Sequence, residues 1–124
     1  MLSRIKDLAS ELAPRLIEIR RHLHNHPELS GEEYQTAAYV AGVLSSFGLS
    51  VKEQMGKVGV IGELPGRGDD LRRLAIRTDM DALPIHERTG LEFSSCKPGV
   101  MHACGHDVHT TVGLGTAMVL AQLG

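Results

Sequence analysis

RRLAIRTDMDALPI, residues 72–85, is the stretch on which the reading of the whole chain turns. Residues 72–78 hold apolar and β-branched side chains in a run of strand length, too short for a helix and bounded by turn-forming residues. Asp79 and Asp81 follow, two positions apart, so in an extended chain both carboxylates point to one side. In open α/β sheets the sites lie at the C-terminal ends of strands. Carboxylates there bind a metal ion or orient a metal-bound imidazole. The same two residues also suit simple turn caps ahead of Pro84, and the stretch alone does not separate these roles.

Working outward, LSVKEQ (49–54) and VGVIGEL (58–64) read as two further strands, with PGRGDD (65–70) as the turn before the third. Upstream, Ile5, Leu8, Leu12, Leu16, Ile19 and Leu23 step by three and four and form one stripe of an amphipathic helix. Pro14 is expected to kink or restart that helix, and Pro27 to end it. Ser30 and Glu33 fit a capping box for a second helix, with Ala37, Val40, Ala41 and Leu44 on its packing face and Gly48 as its stop. Downstream, a helix is expected from Asp107 to Leu123, packing through Val108, Val112, Gly115 and Val119. Helices flanking short strands define an α/β fold, with helices packed on a mixed sheet. At 124 residues there is room for one domain.

Composition narrows the function. Thirteen basic and fifteen acidic residues give a net charge of -2, and the doublets Arg20-Arg21 and Arg72-Arg73 stand apart without interleaved aromatics. No nucleic-acid footprint is present. No apolar run reaches the roughly 18 residues of a membrane span, and the charged N-terminus lacks the apolar region of a signal peptide. The reading is a soluble, cytoplasmic protein. With 3% aromatic residues and no Trp, its core is aliphatic.

The densest chemistry is HACGHDVH, residues 102–109, at the start of the last helix. Cys104 and His106 suit a borderline-soft divalent ion, and a helix N-terminus lowers a thiol pKa. Gly105 lets the backbone turn so that both side chains face one point. Asp79, Asp107 and His109 are candidates to orient those ligands. The plainer alternative is a free cysteine among surface histidines. His22, His24 and His26 alternate along a helix end, which scatters them around the cylinder and favours a structural role. Cys96 is read as a free thiol. A closed structural zinc site is disfavoured because Cys96 and Cys104 are too far apart for paired-cysteine spacing.

RRHLHNHPELSGEE, GVIGELPG, IRTDMDALPI, TGLEF and PGVMHACGHDVHT together strongly resemble the amidohydrolase branch of the aminoacylase/carboxypeptidase metallohydrolases. That branch includes hippurate hydrolases, N-acyl-amino-acid amidohydrolases and indole-acetyl-amino-acid hydrolases. The resemblance runs from Arg20 to the final helix. It implies the N-terminal portion of a zinc-exopeptidase-like α/β/α catalytic domain, with Cys104 and His106 as ligands of zinc or manganese, two ions in a complete enzyme. It implies that Asp81 orients a ligand; related carboxypeptidases carry a metal-binding His where this sequence has Asp79. The reaction implied is hydrolysis of N-acyl amino acids by a homodimer or higher oligomer. The general base, a Glu of a Glu-Glu pair, and the dimerisation or lid domain are expected outside residues 1–124. The chain is then an inactive fragment; a short non-catalytic metal-binding or partner-binding domain is the alternative.

Overall fold

The computed structural model describes residues 1–69 and 71–124; Asp70, the last residue of the expected PGRGDD turn, lies outside the described residues. The apolar stripe of the N-terminal segment forms helix α1, Leu2–Asn25. It runs unbroken through Pro14, so the expected restart does not occur. Leu8, Ile19 and Leu23 are buried along it, with Leu12 and Leu16 packed beside them. The helix ends two residues before Pro27, as the restricted backbone ahead of a proline requires.

Helix α2 spans Tyr34–Ser46. Its start departs from the expected capping box. Glu33 stands at the N-cap without a side-chain cap bond, and its carboxylate instead accepts the Gly31 amide at 2.8 Å. The donors of the first turn go to Glu28. Its carboxylate accepts the Thr36 amide and hydroxyl, both at 2.6 Å, and the Gln35 amide at 3.2 Å. A buried carboxylate taking three donors outcompetes a local serine, and its charge suits the positive end of the helix. At the other end Gly48 has φ of +85°, its amide donates to Ser45 O at 3.0 Å, and the Leu49 amide reaches Leu44 O at 3.2 Å. This is the Schellman closure expected from a glycine stop.

Strands β1 (Ser50–Met55) and β2 (Gly59–Glu63) form an antiparallel hairpin whose register pairs Ser50 with Glu63 and Lys52 with Ile61. α2 packs against both strands, and Leu44 and Leu49 close on Gly62. The expected third strand, residues 72–78, joins no ladder among the described residues. Leu71 is 94% exposed and Leu74 89%. A strand exists only through a partner's hydrogen bonds, and residues 72–78 lie against neither open edge of the hairpin.

Helix α3, His106–Leu123, packs on α1 and, less extensively, on α2. Its buried residues are Asp107, Thr110, Thr111, Leu114, Gly115 and Met118, whereas Val108 and Val112 face outward. Of the four expected packing residues only Gly115 is buried. This helix is apolar on most of its circumference, so periodicity does not select a face; contact with Leu16 of α1 does. Ile19, Leu23, Val40, Val43, Leu114 and Met118 meet where the three helices converge.

Short backbone pairings then thread the chemistry-bearing segments together. The Ala82 amide donates to Glu28 O at 2.8 Å, and Leu83 and Met101 exchange amide bonds at 2.9 and 3.0 Å. Residues 79–83 are thereby held between the turn after α1 and the loop entering α3. Because the Glu28 carboxylate accepts the donors at the start of α2, Glu28→Ala is expected to leave the buried Thr36 amide and hydroxyl unpaired and cost about 1–3 kcal/mol. Urea unfolding followed by circular dichroism reads this directly; an unchanged midpoint would show that water replaces the carboxylate without loss.

Candidate metal centre

Gly105 has φ of +102° and is the N-cap of α3, a backbone state that a side chain at this position would strain. The turn it makes brings Cys104 Sγ to 3.8 Å from His106 Nε2. Behind the ring, His106 Nδ1 lies 2.7 Å from Asp81 Oδ1 and 3.1 Å from Asp81 O. Both of those atoms are acceptors, so Nδ1 carries the proton and donates. Nε2 is left with its lone pair facing the thiol. This carboxylate–imidazole arrangement is the one that fixes a metal-ligating tautomer.

A donor-atom test bears on whether an ion fits. Bonds of about 2.3 Å to sulfur and about 2.0–2.1 Å to nitrogen at a tetrahedral angle separate the two donors by about 3.6 Å. The observed 3.8 Å needs only a slightly wider angle. Cys104 is exposed, which leaves the other side of such an ion open. Among the described residues, no group of three or more His, Cys, Asp or Glu gathers with metal-binding geometry.

The remaining candidates separate into distinct places. The Asp79 carboxylate pairs with Arg77 at 3.1 Å, not with His106. Its backbone is held by the first turns of α3: the Asp79 amide donates to His109 Nδ1 at 3.2 Å, and the Thr110 hydroxyl donates to Asp79 O at 2.9 Å. The two carboxylates of the DMD motif thus have different partners. Asp107 turns inward, 1% exposed, and its Oδ2 accepts from Arg20 Nε at 3.0 Å and His24 Nδ1 at 2.7 Å.

His24 is the residue that the sequence pattern underrated. It is 3% exposed, and its second nitrogen lies 3.0 Å from the Glu87 carboxylate. One imidazole therefore bridges two buried carboxylates. His22 and His26 remain exposed, but their ring centroids lie 4.5 Å apart, so the three rings are not scattered: residues four apart share a helix face and only His24 turns elsewhere. Glu87 also accepts the Ser95 amide at 2.8 Å and the Thr89 hydroxyl. Phe93 covers the cluster, edge-on to His24 and beneath the guanidinium groups of Arg20 and Arg21. A burial pattern for α1 could have flagged His24, since it directly follows the core residue Leu23; nothing local pointed to Glu87. Among the described residues, Asp107 Oδ1 and both ring nitrogens of the buried His102 have no hydrogen-bond partner.

The electrostatics follow from these contacts. Burial raises the Glu87 carboxyl, but hydrogen bonds from Thr89, Ser95 and His24 outweigh it and hold its pKa at about 2. Burial likewise raises Asp107, and the His24 and Val108 hydrogen bonds with the charges of His102 and Arg20 bring it below the ordinary value. Burial is the main cause holding His102 below the usual histidine range.

Residues 75–124 match the model of Peptidase family M20/M25/M40. The chain is 73% identical over 97% of its length to a Synechocystis sp. protein named "Probable hydrolase sll0100", covering 30% of that protein. It is 50% identical over 96% of its length to the N-acyl-L-amino acid amidohydrolase of Geobacillus stearothermophilus, covering 32%, and 45% identical over 98% to the hippurate hydrolase of Campylobacter jejuni, covering 30%. The crystal structure of the Bacillus subtilis YXEP protein, described as a dinuclear metal binding peptidase from the M20 family, superposes with a TM-score of 0.84. That similarity is at 45% identity and covers 95% of this chain and 32% of that one. Residues 75–124 thus carry the pattern of the M20/M25/M40 peptidase family, and the chain shares the fold of the matching portion of the YXEP structure. It spans about a third of the length of the curated relatives it matches.

The depressed Glu87 pKa fixes the sign of an acid effect. Ionised Glu87 stabilises the fold fully above its ordinary value of 4.5, and that contribution disappears as the pH falls towards about 2. Asp107 acts in the same direction. Glu87→Gln is therefore expected to lower Tm at neutral pH, and its difference from the parent protein is expected to narrow as the pH drops through this window. Thermal melts at a series of pH values test it; a difference that stays constant down to pH near 2 contradicts the assignment.

Proposed function

We propose that the chain carries part of the active site of a metal-dependent amidohydrolase that cleaves N-acyl amino acids. Cys104 and His106 hold a divalent ion in this reading, and Asp81 orients His106. The observation that carries it is the line from the Asp81 carboxylate through the His106 ring to the Cys104 thiol. The likeness to the amidohydrolase and hippurate hydrolase relatives supports the substrate class, and the likeness to YXEP, a dinuclear metal binding peptidase, supports two ions per complete site. Zinc suits the thiolate and imidazole donors; manganese remains the alternative the family resemblance offers.

When bound, a divalent ion lowers the pKa of water to about 7 and polarises a scissile carbonyl. The chain's own residues prepare that chemistry. Asp81 accepts the Nδ1 proton and keeps Nε2 free to ligate. Arg77 holds the Asp79 carboxylate, while His109 and Thr110 pin the Asp79 backbone, so the segment bearing Asp81 stays in register with α3. The reading assigns the general base and the remaining ligands to residues outside 1–124, and a homodimer or higher oligomer to the whole enzyme. It also assigns the protein to the cytoplasm; the structural observation is that no helix among the described residues is long and apolar enough to cross a membrane.

Metal binding and turnover test this separately. Equilibrium dialysis against zinc, manganese and cobalt is expected to show binding that Cys104→Ala abolishes and Cys96→Ala leaves intact. Asp81→Asn is expected to weaken it about 10–100-fold. Equal retention of metal by Cys104→Ala and the parent would remove the thiol from the site. Residues 1–124 alone are expected to hydrolyse no N-acyl amino acid with any of these ions; turnover that Cys104→Ala eliminates would show a complete catalytic set.

A further inference from the structure

We propose that His24 is a positioning residue for the Cys104–His106 pair, acting from α1 through Asp107 and Glu87. The proposal rests on the reading that Cys104 and His106 hold a divalent ion. Its basis is where the side-chain bonds between the start of α3 and α1 converge. α3 begins at a left-handed glycine with no side-chain cap bond, so its first turn has no local brace. Asp107, the residue after His106, supplies a brace by reaching α1 through Oδ2, to Arg20 at 3.0 Å and His24 at 2.7 Å. The other face of the same imidazole takes Glu87 at 3.0 Å. Glu87 in turn holds the Ser95 amide and the Thr89 hydroxyl, and so fixes the segment between Pro84 and the ligand loop.

One buried ring therefore joins three pieces of chain: α1, the first turn of α3 and the 84–100 segment. Asp81 lies just before that segment and Cys104 just beyond it. Removing the ring leaves two carboxylates buried with a common partner gone. They then repel, and relief comes by moving the pieces that carry them, which are the pieces that carry the metal-site side chains. A cluster kept only for stability would have no such consequence. Ion clusters of this kind gain little net stability, because desolvation of each charge costs several kcal/mol, whereas a displacement of an ångström at a ligand is enough to change coordination.

Cobalt(II) reads ligand geometry directly, through its visible ligand-field bands and a near-ultraviolet thiolate band. The full chain is titrated with cobalt(II) alongside Cys104→Ala, His24→Gln, Glu87→Gln, Arg20→Met and Leu8→Ala. Leu8 is a core residue of α1 outside the cluster and controls for simple destabilisation. The parent is expected to show a thiolate band that Cys104→Ala lacks. His24→Gln and Glu87→Gln, folded by circular dichroism, are expected to bind about 10-fold or more weakly with shifted visible bands, and Arg20→Met to shift them less in the same direction. Leu8→Ala, at an equal or greater loss of Tm, is expected to keep the parent spectrum. If His24→Gln does not fold, Glu87→Gln and Arg20→Met decide. A parent thiolate band with unmoved variants overturns the positioning role alone, as does an equal shift in Leu8→Ala. Absence of any Cys104-dependent band overturns the metal reading, and the positioning role with it.

Discussion

The carboxylate of Asp107 sits where three demands meet. It is covalently next to His106, it lies at the unbraced start of α3, and it is buried against α1. A lone buried carboxylate is costly, so its burial requires donors at short range, and Arg20 and His24 supply them. His24 then becomes a buried group with a second nitrogen to satisfy, and Glu87 is drawn in. The chain of obligations ends at the Thr89 hydroxyl and Ser95 amide. Each step follows from the rule that a polar group taken out of water must be paired. The result is a polar spine that runs from α1 to the loop bearing the thiol.

Around that spine the apolar core is modest and local. Ile19, Leu23, Val40, Val43, Leu114 and Met118 are enough to hold three helices together. They do not reach residues 71–76, whose apolar side chains stay exposed. α3 shows the same division. Its inner face combines core residues with Asp107, Thr110 and Thr111, and its outer face presents Val108 and Val112. Polar contacts therefore set the rotation of this helix about its axis at the N-terminal end, and apolar packing sets it further along.

The candidate metal pair lies at the solvent edge of this arrangement. Its geometry is imposed from behind: Gly105 sets the turn, Asp81 sets the tautomer of His106, and the exchange of amide bonds between Leu83 and Met101 keeps Asp81 beside the ligand loop. No energy from the pair itself is needed to hold the fold. A site built this way can present an exposed thiol and imidazole without a closed cage of ligands.

Several features were determined by sequence alone because their causes lie within a few residues. The stripe of α1, the stop ahead of Pro27, the Gly48 closure, the two strands at 49–54 and 58–64 and the Cys104-Gly105-His106 spacing all follow from periodicity or from backbone restrictions at proline and glycine. The family resemblance also came from motifs read in order. Other features were decided only by tertiary structure. Glu28 replaced the local capping box because it lies close in space and brings a full charge. Residues 72–78 lacked a partner strand, which no local preference can provide. The buried face of α3 was chosen by contact, since an almost uniformly apolar helix carries no phase of its own. His24 met Asp107 and Glu87 across separations of 83 and 63 residues. A histidine at a helix end looks the same in sequence whether it faces water or two carboxylates, and only the folded chain supplies the carboxylates.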